Sequence, residues 1–561
     1  MKNIFLSFLL FLNFLAFAQN PLMIPPTLSG TNINLNLQYG THQFFAGQIT
    51  QTMGANGDIL GPTLILNQGD FVNFSVNNQL NDDTTIHWHG MHVSAINDGG
   101  PHTVIASGTT WTPAFTILDK AATYWYHPHL HTKTDLHVSK GIAGLIIVKD
   151  QEEAALDLPR TYGIDDIPLV IQTKAFDNNN QIVNHSNSDT VIMANATVDP
   201  YIDLPAQVVR FRILNGSSQR VFNLGLSNNE NFYLITTDGG LLNAPLQTTR
   251  LQMAPGERAE ILIDLSGREN QTLSLKSYAS ELPNGIYGAA APGMNASMPL
   301  NGYNPNPLNG NDFDILQINV VAPTANPVTS IPNTLANLSP IPETDANTTR
   351  TLTFSPASPG FNQLNGNFLI NNSSFDMNVI NYNIPLDNVE IWELRNQSAI
   401  AHPFHIHDVQ FYILDRNGNP PPATEQGRKD VVLVKPQETV RFITKFETFA
   451  DDAVPYMYHC HMLTHEDGGM MGQFVVHSSN AINDETVFKG KIYPNPSSGN
   501  IHIESNEAFS KIQILDLTGR PVFEKKFNSV NQIEIKYDKP GMYVMEISSE
   551  TTKYLKKLII R

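Results

Sequence analysis

The 561-residue sequence predicts an all-β protein of sandwich type: three sandwich repeats followed by a smaller β tail. Alternating apolar and polar runs, among them FVNFSVNNQL, VVRFRILNGS, AEILIDL, VEIWELRNQS and GLIIV, recur between Gly, Pro, Asn and Asp, as half-buried strands do. No long apolar run of helical period competes with them. The length exceeds what one core can organise, and 41% apolar with 15% charged residues is globular composition, which excludes a disordered or fibrous chain.

The elements follow in order. Residues 1–18 carry Lys2, an apolar run from Ile4 to Phe17, and Ala16-Phe17-Ala18 at the end. That is the pattern of a secretory signal, with an apolar run too short to span a bilayer. No later apolar run reaches about 18 residues, so the mature protein is expected to be soluble. Phe74, Val76 and Asn78 then match Phe211, Ile213 and Asn215, and again Trp392, Leu394 and Asn396. Each trio places two same-face apolar residues before an Asn that ends the strand. Repeats are therefore expected at 19–155, 156–325 and 345–480, with the Pro/Asn/Ser/Thr-rich 326–344 as a linker. The Gly/Pro/Asn-rich loop 285–311 is expected to be flexible or a lid; its Met294 and Met298 are soft enough to bind cuprous ion, though such methionines are more often incidental.

Charge separates the last segment. Residues 487–561 hold 12 Lys/Arg and 8 Asp/Glu, while the whole chain carries −18. The overall acidity speaks against nucleic acid as a partner. The tail, 488–561, resembles the C-terminal sorting domain of the type IX secretion system in Pro494-Asn495-Pro496, LTGRPV, PGMYV and its basic end. That resemblance implies export across an outer membrane by the type IX machinery, then removal of the tail or anchoring at the surface.

The chain has one cysteine, Cys460, in YHCHMLTHEDGGMM. Exported proteins usually pair their cysteines, so a lone one points to a reactive or metal-bound thiol. Ten of the 18 histidines fall in four groups: His87/His89, His127/His129, His402/His405/His407 and His459/His461/His465. Nine residues separate Asn78 from His87 and Asn396 from His405, whereas nine from Asn215 falls on Leu224, with Leu226 two further on. The outer repeats thus carry histidines where the middle one carries leucines. YHPH (126–129) likewise matches YHCH (458–461), with Pro128 in place of Cys460.

In extended chain, side chains alternate, so His459 and His461 leave one face and Cys460 the other. His402 and His465 are free to join Cys460, with Met470 as an axial thioether; two imidazoles, a thiolate and a weak thioether form the blue-copper set. The other eight histidines, four from each outer repeat, suit a shared cluster of three copper ions. Zinc hydrolysis would leave Met470 unexplained. A nitrite reductase would not need histidines on both sides of the cysteine, and a copper-sequestering protein would not need the complete cluster.

HWHG, HPH, HPFHIH and HCHMLTHEDGGM together resemble the four signatures of the multicopper oxidases in their bacterial form with three cupredoxin-like domains. The likeness spans roughly 25–480 and includes MAPGERAEILID in the middle repeat. It implies four copper ions. His402, Cys460, His465 and Met470 would hold the type 1 ion, and His87 and His405 the type 2 ion. His89, His127 and His461 would hold one type 3 ion; His129, His407 and His459 the other. Asp98 and Glu466 resemble the acidic residues that assist proton delivery, and Cys460 the group that passes electrons to the cluster. The implied partners are dioxygen and a small reductant, phenolic or a metal ion, and the protein is expected to be a monomer. His92, His102 and His137 are expected on loops or the surface; His131 extends HPHLH outside the matched register; His42, His185, His477 and His502 have no evident partners.

Overall fold

The computed structural model describes residues 19–291, 306–358, 364, 366–478, 490–516, 519–549 and 553–561. The segment 1–18, Met294 and Met298 lie outside them. Contacts divide the chain into two compact units, 1–477 and 478–561. No helix among the described residues is long and apolar enough to cross a membrane.

Six sheets of the first unit pack as three sandwiches. In the first, Ile33, Leu35, Phe74 and Val76 from one sheet meet Leu64, Trp88, Tyr124 and Ile146 from the other. The second joins Ile167, Phe211, Ile213 and Ile261 to Leu204, Leu224, Leu275 and Ile318. In the third, Leu352, Trp392 and Phe442 face Phe404, Tyr458 and Phe474. The second unit is one sheet, with its two 16-residue strands Asn500–Leu515 and Pro521–Lys536 antiparallel and Ile501, Ile503, Ile512, Ile514 and Ile547 buried.

The strand-ending asparagines explain why the three repeats share a motif. Asn78 Nδ2 donates to Asp82 O and Ile105 O, and its Oδ1 accepts from Leu80 N. Asn215 makes the same bonds to Arg220 O, Met253 O and Ser217 N, and Asn396 to Ile400 O, Val434 O and Ser398 N. All three are buried, so each side chain satisfies backbone groups that would otherwise be stranded where the strand stops.

Two segments differ from expectation. The chain start does not belong to the first repeat alone: Asn20 and Pro21 pair in parallel with Pro200 and Tyr201, and Leu22 enters the middle core. There they cover the edge of the strand Pro200–Pro205. The expected linker 326–344 is laid onto the middle sandwich: Val208 N donates to Val328 O, Leu335 N to Asn243 O, and Leu335 is buried in that core. The described ends of the 285–311 loop are likewise anchored. Asp189 accepts from Arg220, Tyr287 OH and Asn306 Nδ2, and Ile286 and Ala289 are fully buried.

The first and middle repeats meet through a buried ionic group. Glu260 Oε2 accepts from Arg210 Nε at 2.9 Å and from Arg210 Nη2; its Oε1 accepts from Arg212 Nη1 at 2.7 Å and Thr123 Oγ1 at 2.7 Å. Arg210 also reaches Glu153, and Arg212 reaches Asp166.

Candidate metal centres

Strand register builds the two histidine arrays alike. His127 lies opposite His87 and Trp125 opposite His89; in the third repeat His459 lies opposite His405 and Phe404 opposite Cys460. Alternation then sends Cys460 into the apolar core with Met470 and turns His459 and His461 out toward the first repeat. The middle strand Phe222–Leu226 presents Leu224 and Leu226 to its own core instead.

Around Cys460, His402 Nδ1 lies 3.5 Å and His465 Nδ1 3.6 Å from Sγ. The far nitrogens are occupied: His402 Nε2–H donates to Ser398 Oγ at 2.8 Å and His465 Nε2–H to Leu364 O at 2.7 Å. These bonds leave the Nδ1 lone pairs facing the sulfur. Phe368 packs against both rings, centroids 4.6 and 4.5 Å away. Burial pushes the Cys460 thiol far up, so thiolate at neutral pH requires a cation beside it.

The eight remaining histidines are buried together between the first and third repeats. Burial drives His89, His127, His405 and His407 well below their ordinary value, and His129 and His461 to about 3, so these imidazoles are neutral. His459 Nδ1–H donates to Cys460 O and His407 Nδ1–H to Asp98 Oδ2, which leaves lone pairs on both Nε2 atoms. Those atoms meet His129 Nε2 in a triangle with sides 3.0, 3.2 and 3.4 Å. Two nitrogens each about 2.0–2.1 Å from a shared ion stand about 3.3–3.5 Å apart, so the triangle has the size of a metal site. In the second array His127 Nδ1–H donates to Pro128 O, as His459 does to Cys460 O, and His127 Nε2 lies 3.4 Å from His89 Nδ1. His461 has both ring nitrogens buried without a hydrogen-bond partner; His87 Nε2 and His405 Nε2 are also bare. So many unpartnered imidazole nitrogens in one buried place fit a metal cluster.

All twelve sequence-predicted ligand positions are buried, eleven of them in these two places, with Met470 in the core that holds Cys460. Asp98 Oδ2 accepts from His407, while its Oδ1 has no hydrogen-bond partner. Glu466 lies between His459 Nδ1, at 3.2 Å, and His129 Nδ1, at 3.4 Å. Sequence reasoning missed Asp430, Arg258, Ser398 and Leu364, which bond to the rings or to one another. It also misplaced His137, fully buried on the helix Thr134–Lys140 with a ring nitrogen on Thr84 Oγ1, and left His185 without its carboxylate neighbours Asp135 and Asp467. His502 likewise lies 3.7 Å from Glu534.

Three cupredoxin-like sandwiches with a cysteine–histidine site and a histidine cluster between the outer two define a copper oxidoreductase class. Matches to the multicopper oxidase family cover residues 36–153, 168–285 and 343–480, and residues 491–561 match the secretion system C-terminal sorting domain. Multicopper oxidase mco of Staphylococcus haemolyticus is 34% identical over 79% of this chain and 88% of its own. The chain belongs to the multicopper oxidase family. Cell division protein FtsP of Sodalis glossinidius is 31% identical, over 81% of this chain and 92% of its own. Among solved structures, the laccase-like multi-copper oxidase CueO of the lignin-degrading Ochrobactrum sp. superposes with TM-score 0.71 at 33% identity, covering 81% of this chain and all of that one.

Proposed function

We propose that the protein is an exported oxidase that couples four one-electron oxidations of a small reductant to the reduction of dioxygen to two waters. The reductant is a phenol, an aromatic amine, or cuprous or ferrous ion. The observation that carries this reading is the triangle of His129, His407 and His459: three buried Nε2 atoms converge 3.0–3.4 Å apart, the spacing of ligands around one ion, and those of His407 and His459 present lone pairs.

His402, Cys460, His465 and Met470 would hold a type 1 copper; His87 and His405 a type 2; His89, His127 and His461 one type 3 and His129, His407 and His459 the other. When bound, copper supplies the one-electron redox chemistry and the site where oxygen is reduced. The chain's own groups do the rest. Cys460 is covalently joined to His459 and His461, so its sulfur and the two arrays are linked through single peptide units. Phe368 excludes water from His402 and His465. Asp98 Oδ1 and the Glu466 carboxylate, which sits beside His459 and His129, border the cluster and can take and return the protons that water formation consumes. A signal segment and sorting tail of this kind fit type IX export, with the mature protein secreted or at the cell surface.

The relatives named as a cell division protein are not named as oxidases, and a second reading is a copper-binding protein with little turnover. The complete cluster argues for turnover, and oxygen uptake by copper-loaded protein separates the two. Replacing Cys460 by Ser tests the main reading: blue absorption and oxidation of every donor should vanish together. A serine variant that oxidises donors at the parent's rate would refute it.

A further inference from the structure

Two aspartates stand in matching places about the cluster. Asp98 accepts His87 Nδ1–H on its backbone carbonyl at 2.9 Å and His407 Nδ1–H on its carboxylate at 2.8 Å. Asp430 accepts His405 Nδ1–H on its carbonyl at 2.8 Å and His89 Nε2–H on its carboxylate at 3.2 Å. Each thus takes one histidine from its own repeat and one from the opposite repeat. The rings stack in the same crossed pairs, His87 on His407 and His89 on His405, both at 3.8 Å.

The match ends at the outer oxygens. Asp98 Oδ1 accepts no hydrogen bond and has His87 Nδ1 near it, at 3.4 Å, whereas both oxygens of Asp430 are gripped by Arg258, Nη1 to Oδ1 at 2.6 Å and Nη2 to Oδ2 at 2.5 Å. Arg258 places its three other N–H groups on Thr123 O, Gly256 O and Asp238 O, so all five donors are used. The acceptors come from all three repeats. Two glycines make room for the arrangement: a Cβ on Gly90 would collide with Asp430 Oδ2 and Arg258 Nη2, and one on Gly256 would lie 2.9 Å from the His461 ring.

We propose that Arg258 and Asp430 are positioning residues for the histidine cluster, through which the middle repeat, itself without ligand histidines, fixes the rings of His89 and His405. The carboxylate holds the proton on His89 Nε2 and so keeps Nδ1 free; the carbonyl does the same for His405 Nε2. Arg258 fixes both acceptors at once, because the planar fork that holds the side chain also holds the strand start that bears the carbonyl. The pair is the counterpart of Asp98, whose carboxylate no guanidinium among the described residues holds. This inference rests on the reading of these histidines as copper ligands.

The test compares copper uptake by parent, R258K, R258Q, D430N and the R258Q/D430N double variant. Chelator competition measures cluster affinity, blue absorption per chain reports the Cys460 site, and circular dichroism melting of the copper-free forms reports folding. Each variant should bind cluster copper about 10–100-fold more weakly while keeping the parent's blue absorption. The double variant should bind no more weakly than either single one, because the two residues act as one device. It should also melt higher than R258Q, having no unpaired buried charge, without regaining affinity. Recovery of stability and affinity together would mean a merely structural pair and overturn the proposal, as would parental affinity in D430N, which also decides the matter should R258Q fail to fold. Parent protein that takes up no copper would instead overturn the reading of the site itself.

Discussion

Replacing Glu260 with Gln tests the buried ionic group that joins the first and middle repeats. Glu260 is fully buried and accepts from Arg210, Arg212 and Thr123. Burial opposes its charge, but the Arg210 and Arg212 guanidiniums win and hold its carboxyl at about 2, against an ordinary 4.5. A depression of about 2.5 units at 1.36 kcal/mol each gives about 3 kcal/mol of stability, within the range of about 3–5 kcal/mol for breaking a buried pair. The sign follows from linkage: a depressed carboxyl stabilises fully above its unfolded value, near 4.5, and the contribution disappears as pH falls toward 2. Copper-free E260Q should therefore melt about 3 °C below the parent at pH 7, because about 2.1 cal/mol/K per residue gives the unit 1–477 an unfolding entropy of roughly 1 kcal/mol/K, and the gap should close through pH 4.5 toward 2.5. Scanning calorimetry of parent and variant across that range measures it, and the carboxylates common to both cancel in the difference. A gap under about 1 °C at pH 7, or one that does not narrow with acid, would refute the argument.

Two further outcomes concern the cluster. D98N should slow steady-state oxygen uptake about 100-fold. Bleaching of the blue absorption by substrate without oxygen should keep its parental rate, and an equal slowing of both in stopped flow would remove Asp98 from proton handling. G256A puts a methyl group against His461 at a residue whose φ is +85°. It should cost about 1–2 kcal/mol in backbone strain and lower copper per chain without dimming the blue site, so parental melting and copper content would count against the packing argument.

The sequence made the repeated parts legible. Asparagines at 78, 215 and 396 mark the strand ends, and counting from them finds histidines in two repeats and leucines in the third, because that spacing is local and set by strand geometry. Asp430 escaped because it meets His89 across 341 residues, and because its carbonyl reaches His405 across 25 where Asp98 reaches His87 across 11. Equivalent positions in space are reached there by connections of different length, so no fixed count finds both. Arg258 lay within the quoted MAPGERAEILID, but nothing in its period shows that its acceptors come from three repeats. The segment 326–344 read as a spacer from its composition, yet Leu335 is buried in the middle core and Val328, Ile331 and Ala336 pack against it, which seats the segment there.

His129 and His459, 330 residues apart, meet nitrogen to nitrogen, whereas His402, Cys460, His465 and Met470 all come from one repeat. On the proposed assignment, the two copper sites would therefore mature on different terms. The proposed type 1 site would need only the third sandwich to be complete, while the cluster would need both outer repeats in register and, once filled, would act as a clasp across hundreds of residues. Chelation should then undo the join between the outer sandwiches before it undoes any one of them.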